Sequence, residues 1–120
     1  MQFLLKQHFQ IESARYLPNL PQNHPCSRTH GHSFKITFVF LTTMDSKTGW
    51  GLDYHDISRW VQPILNQLDH RLLNEVPGLE NPTSEYITAW IYEKVKAHLP
   101  DLTQVGVSET STTECWYPAK

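Results

Sequence analysis

At 120 residues and 14.0 kDa the chain has the length of one domain and no room for a separate cofactor-binding module. A hydrophobic fraction of 39% against 18% charged, with four Trp, five Tyr and five Phe, excludes a disordered chain. Ten Lys and Arg against twelve Asp and Glu give a formal charge of −2 and a pI near 6.4, so the global basic field of a nucleic-acid binder is absent and no nucleic-acid partner is expected.

The first predicted element is a strand over 3–13, in which Phe3 and Leu5, then Phe9, Ile11 and Ser13, share an alternation. A turn-rich loop from Leu17 to Pro25 follows. Alternation is clearest over 34–43, with Phe34, Ile36, Phe38 and Phe40 on one face. After a turn at 44–49, Asp53 or Asp56 is placed to cap a helix whose stripe is Ile57, Trp60, Val61, Ile64, Leu65 and Leu68, with Pro63 predicting a kink or break. Thr83 is the expected N-cap of a second helix, with Ile87, Trp90, Ile91, Val95 and Leu99 inward and Pro100 as its end. Period two returns over 103–110, and Cys115-Trp116-Tyr117 forms a last short strand. The order ββααββ in a single domain over 1–120 predicts an α+β fold, an antiparallel four-stranded sheet with both helices on one face.

Cys26 and Cys115 do not make the dense pattern of a secreted disulfide scaffold, which favours a reducing compartment. The N-terminal apolar run is short, and no stretch approaches the roughly 20 apolar residues of a membrane span. A cytoplasmic, soluble protein with no membrane partner is expected. A domain of this size buries only about 60–70% of its unfolded surface, so oligomerisation is expected to complete its core.

Reactive side chains are densest over His24-Pro25-Cys26-Ser27-Arg28-Thr29-His30-Gly31-His32. In extended chain His30 and His32 project to one face, where both imidazoles can reach one divalent cation. Seven His in 120 residues yield about 0.4 such pairs by chance, and two solvated loop histidines are the competing reading. Cys26 is a metal ligand, a nucleophile or base, or an inert thiol; Cys115 looks inert. Asp69-His70 pairs a carboxylate with an imidazole, which suits acid/base work but equally suits a helix C-terminus. Glu109 shares the inward alternation of Val105 and Val107, and a carboxylate facing inward requires a partner, either a salt bridge or a ligand amidine.

Together these residues resemble the 6-pyruvoyltetrahydropterin synthase and 6-carboxytetrahydropterin synthase family, whose subunits adopt the tunnelling fold. The resemblance runs through Leu17-Pro18, His24-Pro25-Cys26, His30-Gly31-His32-Ser33-Phe34, Gly49-Trp50 with Asp53, Leu68-Asp69-His70, Leu73-Asn74, the stretch from Pro77 to Glu85, and Val107 with Glu109-Thr110. The short chain and its Asn-Pro-Thr-Ser-Glu loop look most like the bacterial 6-carboxytetrahydropterin synthases of the queuosine pathway. The resemblance implies trimeric barrels stacked into a homohexamer, with active sites at subunit interfaces. It implies 7,8-dihydroneopterin triphosphate as substrate and 6-carboxytetrahydropterin, acetaldehyde and triphosphate as products. A pyruvoyl-type lyase and a non-catalytic metal- or pterin-binding paralogue are the alternatives.

By the same resemblance Cys26 is the base or proton shuttle, Asp69 and His70 are the second acid/base unit, and Glu109 anchors the pterin, accepting two parallel hydrogen bonds. Glu109→Gln is then expected to weaken recognition more than folding. A divalent metal, usually zinc, is expected at His30 and His32. One departure stands out: Ser13-Ala14-Arg15 occupies the place of the family's Ala-His metal ligand, and a permanently cationic guanidinium is no ligand. Either His24, followed by Cys26, Glu12 and His8, completes the site as third ligand, or two imidazoles and more water hold the metal with weaker, less selective binding. Arg15 is free to contact the triphosphate or a carboxylate across an interface.

Overall fold

The two longest alternating segments pair along their whole length. In the computed structural model, which describes Met1–Lys120, β1 spans Gln2–Arg15 and β2 spans His30–Thr43, antiparallel from Gln2↔Thr43 to Arg15↔His30. Both strands outrun the alternation that predicts them. Thus β2 starts at His30, and the histidine pair belongs to the strand rather than to the loop before it. The chain continues through α1 (Tyr54–Leu65), α2 (Ser84–Lys96), β3 (Leu102–Thr110) and β4 (Thr113–Tyr117), giving one antiparallel sheet in the order β1-β2-β3-β4. The sheet is open, with β1 and β4 at its edges.

Local chemistry sets the helix ends. Asp53 accepts a hydrogen bond from the His55 amide at 2.9 Å, and Thr83 accepts one from the Tyr86 amide at 3.2 Å, each satisfying a donor that the first turn leaves free. Pro63 lies inside α1, and the helix stops two residues later, short of Leu68. Lys96 Nζ donates to the carbonyls of Pro100 and Leu102 at 2.6 and 2.7 Å, tying the end of α2 to the start of β3.

Phe34, Ile36, Phe38 and Phe40 from β2 and Val105 and Val107 from β3 meet Ile57, Val61, Leu65, Ile87, Ile91 and Val95 from both helices in one buried cluster. Both helices therefore cover the same sheet face. Trp90 is only half-buried, and its indole N–H reaches the Pro77 carbonyl at 3.1 Å. A glycine is needed at 106, where a Cβ would lie 2.7 Å from the Trp116 ring.

Candidate functional site

Strand alternation decides which reactive groups share a face. Ile11 pairs with Phe34, Ser13 with His32 and Arg15 with His30, so Arg15, His30 and His32 continue the core face beyond Phe34. Arg15 is buried there, with its side chain 4% exposed. It forms a salt bridge with Glu109 across the sheet and donates from NH1 to the Pro82 carbonyl at 3.1 Å. Its guanidinium also lies 5.3 Å from the centre of the Phe34 ring. Glu109 additionally accepts from Ser84 Oγ at 3.2 Å. The partner of the inward carboxylate is thus a residue of the same chain. Burial pushes the Glu109 carboxyl up, but the Arg15 charge and the hydrogen bonds from Arg15 and Ser84 outweigh it and hold the group below its ordinary range.

The imidazoles of His30 and His32 stand edge to face with ring centres 4.9 Å apart. His30 Nδ1 lies 2.7 Å from the Arg28 carbonyl, which fixes that nitrogen as the donor and leaves Nε2 with a lone pair. That Nε2 is buried and has no partner. His32 is pushed below its ordinary value of 6.5, first by burial and then by the Arg15 charge. Burial and the Arg15 charge thus favour the neutral form of His32, while His30 presents an unpartnered Nε2.

A second cluster lies at the outer rim of β1. The Glu12 amide donates to Asp69 Oδ1 at 2.8 Å, and the His70 amide donates to the Glu12 carbonyl at 2.6 Å. Asp69 Oδ1 is 3.0 Å from His70 Nδ1, leaving the imidazole's Nε2 free for proton transfer. The Glu12 amide is the main reason the Asp69 carboxyl sits below its ordinary range. His70 adopts φ 57°, a left-handed backbone that non-glycine residues rarely take, and its side chain is largely exposed. His32 and His70 open into one cleft of about 560 Å³, lined also by Glu12, Ser13, Ser33 and Arg71. Glu109 faces a separate cleft of about 300 Å³ with Ser84 and Cys115.

The expected third metal ligand is not assembled within the chain. His24 caps the short turn Pro25–Ser27, its Nδ1 accepting from the Cys26 amide at 3.1 Å. Glu12 belongs to the opposite strand phase from Ser13 and is held by Ser33 and Gln10, whose hydrogen bonds lower its carboxyl. His8 pairs with Thr37 Oγ1 at 2.8 Å, several residues down the strand. No group of three His, Cys, Asp or Glu side chains converges on one point. A catalytic zinc site takes three protein ligands. Two imidazoles with a buried guanidinium beside them do not fit that group.

Cys26 lies on the short turn, its carbonyl receiving the Leu17 amide at 2.8 Å, and no hydrogen bond joins it to Asp69 or His70. Sequence reasoning gave Arg15 the triphosphate or an interface carboxylate and Glu109 a salt bridge or a ligand amidine, but did not join the two to each other, although both fall on the same sheet face.

The comparisons agree with this architecture. A 6-carboxy-5,6,7,8-tetrahydropterin synthase of Synechocystis sp. is 38% identical over 96% of this chain and 92% of its own length. A dihydroneopterin monophosphate aldolase of Pyrococcus furiosus is 35% identical over 59% of each chain. The structure of Caenorhabditis elegans 6-pyruvoyl tetrahydropterin synthase superposes with a TM-score of 0.89 over 98% of this chain and 95% of that one, at 20% identity. The family described as 6-pyruvoyl tetrahydropterin synthase matches residues 4–120, and the chain belongs to that family.

Proposed function

We propose that the chain is a 6-carboxy-5,6,7,8-tetrahydropterin synthase, which converts 7,8-dihydroneopterin triphosphate and water to 6-carboxy-5,6,7,8-tetrahydropterin, acetaldehyde and triphosphate. The observation that carries this reading is the cleft shared by His32 and His70, with Asp69 orienting the His70 ring, in a chain 38% identical to a protein of that name. Removal of the side chain requires protons to leave carbon and hydroxyl groups and return to others. Asp69, held ionised, keeps the proton of His70 on Nδ1, so Nε2 accepts a proton and returns it later. Cys26 is the second proton carrier, and Glu109 meets the pterin ring.

Within one chain these groups fall in separate places: Cys26 on its turn, Asp69–His70 at the rim, Glu109 in its own cleft. That separation supports an active site completed between subunits. The open edges of β1 and β4 support closure by further copies, which we assign as a homohexamer of two trimers in the cytoplasm, supplying queuosine biosynthesis.

Incubation with 7,8-dihydroneopterin triphosphate tests the reading. Acetaldehyde and triphosphate should accumulate, and Cys26→Ala should slow their release about 100-fold or more, the scale of a lost acid/base group. Triphosphate without acetaldehyde would indicate pyruvoyl-type chemistry. Ligand binding without turnover would indicate a non-catalytic paralogue.

A further inference from the structure

We propose that Arg15 is the resident cation of this site and that, in its presence, the His30–His32 pair retains no divalent metal. Three inward positions adjoin at this end of the sheet: 15 and 30 as cross-strand partners, and 32 two residues along β2. His30 is prepared as a ligand, with Nδ1 held by the Arg28 carbonyl and a bare, buried Nε2. His32 offers a second imidazole 4.9 Å away. The cross-strand partners of the pair are position 15 and Ser13, and the nearby Glu109 carboxylate is taken up by Arg15 and Ser84. Ser13 Oγ donates to the Leu68 carbonyl at 2.6 Å, and a neutral serine hydroxyl is not among the Cys, His and carboxylate ligands that hold zinc. Position 15 holds a guanidinium, which has five N–H donors and no lone pair to give.

Arg15 is also fixed in place. Its buried side chain is held by Glu109, by the Pro82 carbonyl and by the Phe34 ring, so it cannot swing into solvent to make room without leaving Glu109 uncompensated. A dication at the imidazole pair would face this charge in a poorly solvated pocket. The chain therefore carries a permanent positive charge where an added ion would otherwise supply one. This charge is independent of metal supply. One Glu109 oxygen is already engaged by Arg15 and Ser84, so a ligand amidine must share that carboxylate with the guanidinium. This last consequence rests on the pterin reading; the statement about metal retention does not.

Zinc titration against a chromophoric chelator tests the proposal, with wild type, Arg15→His, and Arg15→His combined with His30→Ala. Wild type should take up no stoichiometric zinc. Arg15→His should bind one zinc per chain on the order of 100-fold more tightly or better, since loss of even an outer-shell partner costs about 10–100-fold. His30→Ala should abolish the gain. Stoichiometric zinc in wild type that is lost on His30→Ala would overturn the proposal, as would an Arg15→His variant that binds no better than wild type. If Arg15→His does not fold, wild type against His30→Ala decides alone: equal, weak uptake upholds the proposal. Acetaldehyde release by untreated wild type reports on the pterin reading separately, so either conclusion can fail without the other.

Discussion

One sheet face carries two kinds of chemistry. From Phe34 to Phe40 it is apolar and covered by both helices; from His32 to His30, with Arg15 and Glu109 beside it, it is ionisable. The β1–β2 register runs unbroken through both halves, and residue type changes at Ile11/Ser13, Phe34/His32 and Val107/Glu109. In the apolar half the clustered hydrophobic side chains are stabilising, and Gln7 Oε1, opposite Phe38, is the one buried atom there without a partner. In the polar half each burial carries a desolvation cost that a partner must offset, and two atoms have none: Arg15 Nε and His30 Nε2. The polar half is arranged for chemistry at some expense in stability.

The largest expected effect lies in the apolar half. Phe38 is fully buried and meets Phe9 edge to face with ring centres 5.5 Å apart, so Phe38→Ala should cost about 3–5 kcal/mol in urea unfolding. A cost under about 1 kcal/mol would mean that the two halves do not differ as described. Next comes Glu109→Gln, which leaves the buried guanidinium without its counter-charge. We expect about 2 kcal/mol, less than the roughly 3–5 of a fully buried pair because the Glu109 side chain is 31% exposed. Folding as well as recognition should therefore suffer. Combining Glu109→Gln with Arg15→Met should recover part of the loss, and strict additivity in that cycle would show that the pair is not coupled.

The halves should also separate by pH. His32 is depressed below 6.5 by burial and then by Arg15, so the unfolded chain binds its proton first. Stability should begin to fall as pH drops below about 6.5. Glu109 is depressed below 4.5, so its contribution is present above that value and is lost as pH falls further toward its folded value. Unfolding midpoints across this range should show both declines. His32→Gln should remove the upper one, and an unchanged upper decline in that variant would assign it elsewhere.

Much of the fold was legible because alternation and capping are local. The inward phase of Phe34 to Phe40, the Thr83 and Asp53 caps and the ββααββ order all follow from neighbouring residues. The His30/His32 phase was legible for the same reason. The Arg15–Glu109 pair was not, because it joins residues 94 positions apart and requires the order β1-β2-β3 to be known. The place of His24 was not legible, because closeness in sequence to His30 says nothing of a turn whose cap takes up Nδ1. The left-handed backbone at His70 carries no residue signal, since glycine or asparagine is the usual occupant.

That last residue yields the smallest effect and the sharpest contrast with the core. At φ 57° a side-chain Cβ crowds the backbone, a cost of about 1–2 kcal/mol that glycine avoids. Glycine also frees the unfolded chain, offsetting about 0.4–1 kcal/mol. His70→Gly should therefore leave stability unchanged or raise it by about 1 kcal/mol, while slowing acetaldehyde release about 100-fold if His70 carries the proton. Phe38→Ala should do the reverse at low temperature, losing stability while the remaining folded protein keeps its turnover. A stability loss of more than about 1 kcal/mol in His70→Gly would mean that the imidazole stabilises the rim through Asp69. In that case the exposed cluster would belong with the structural half of the molecule rather than with its chemistry.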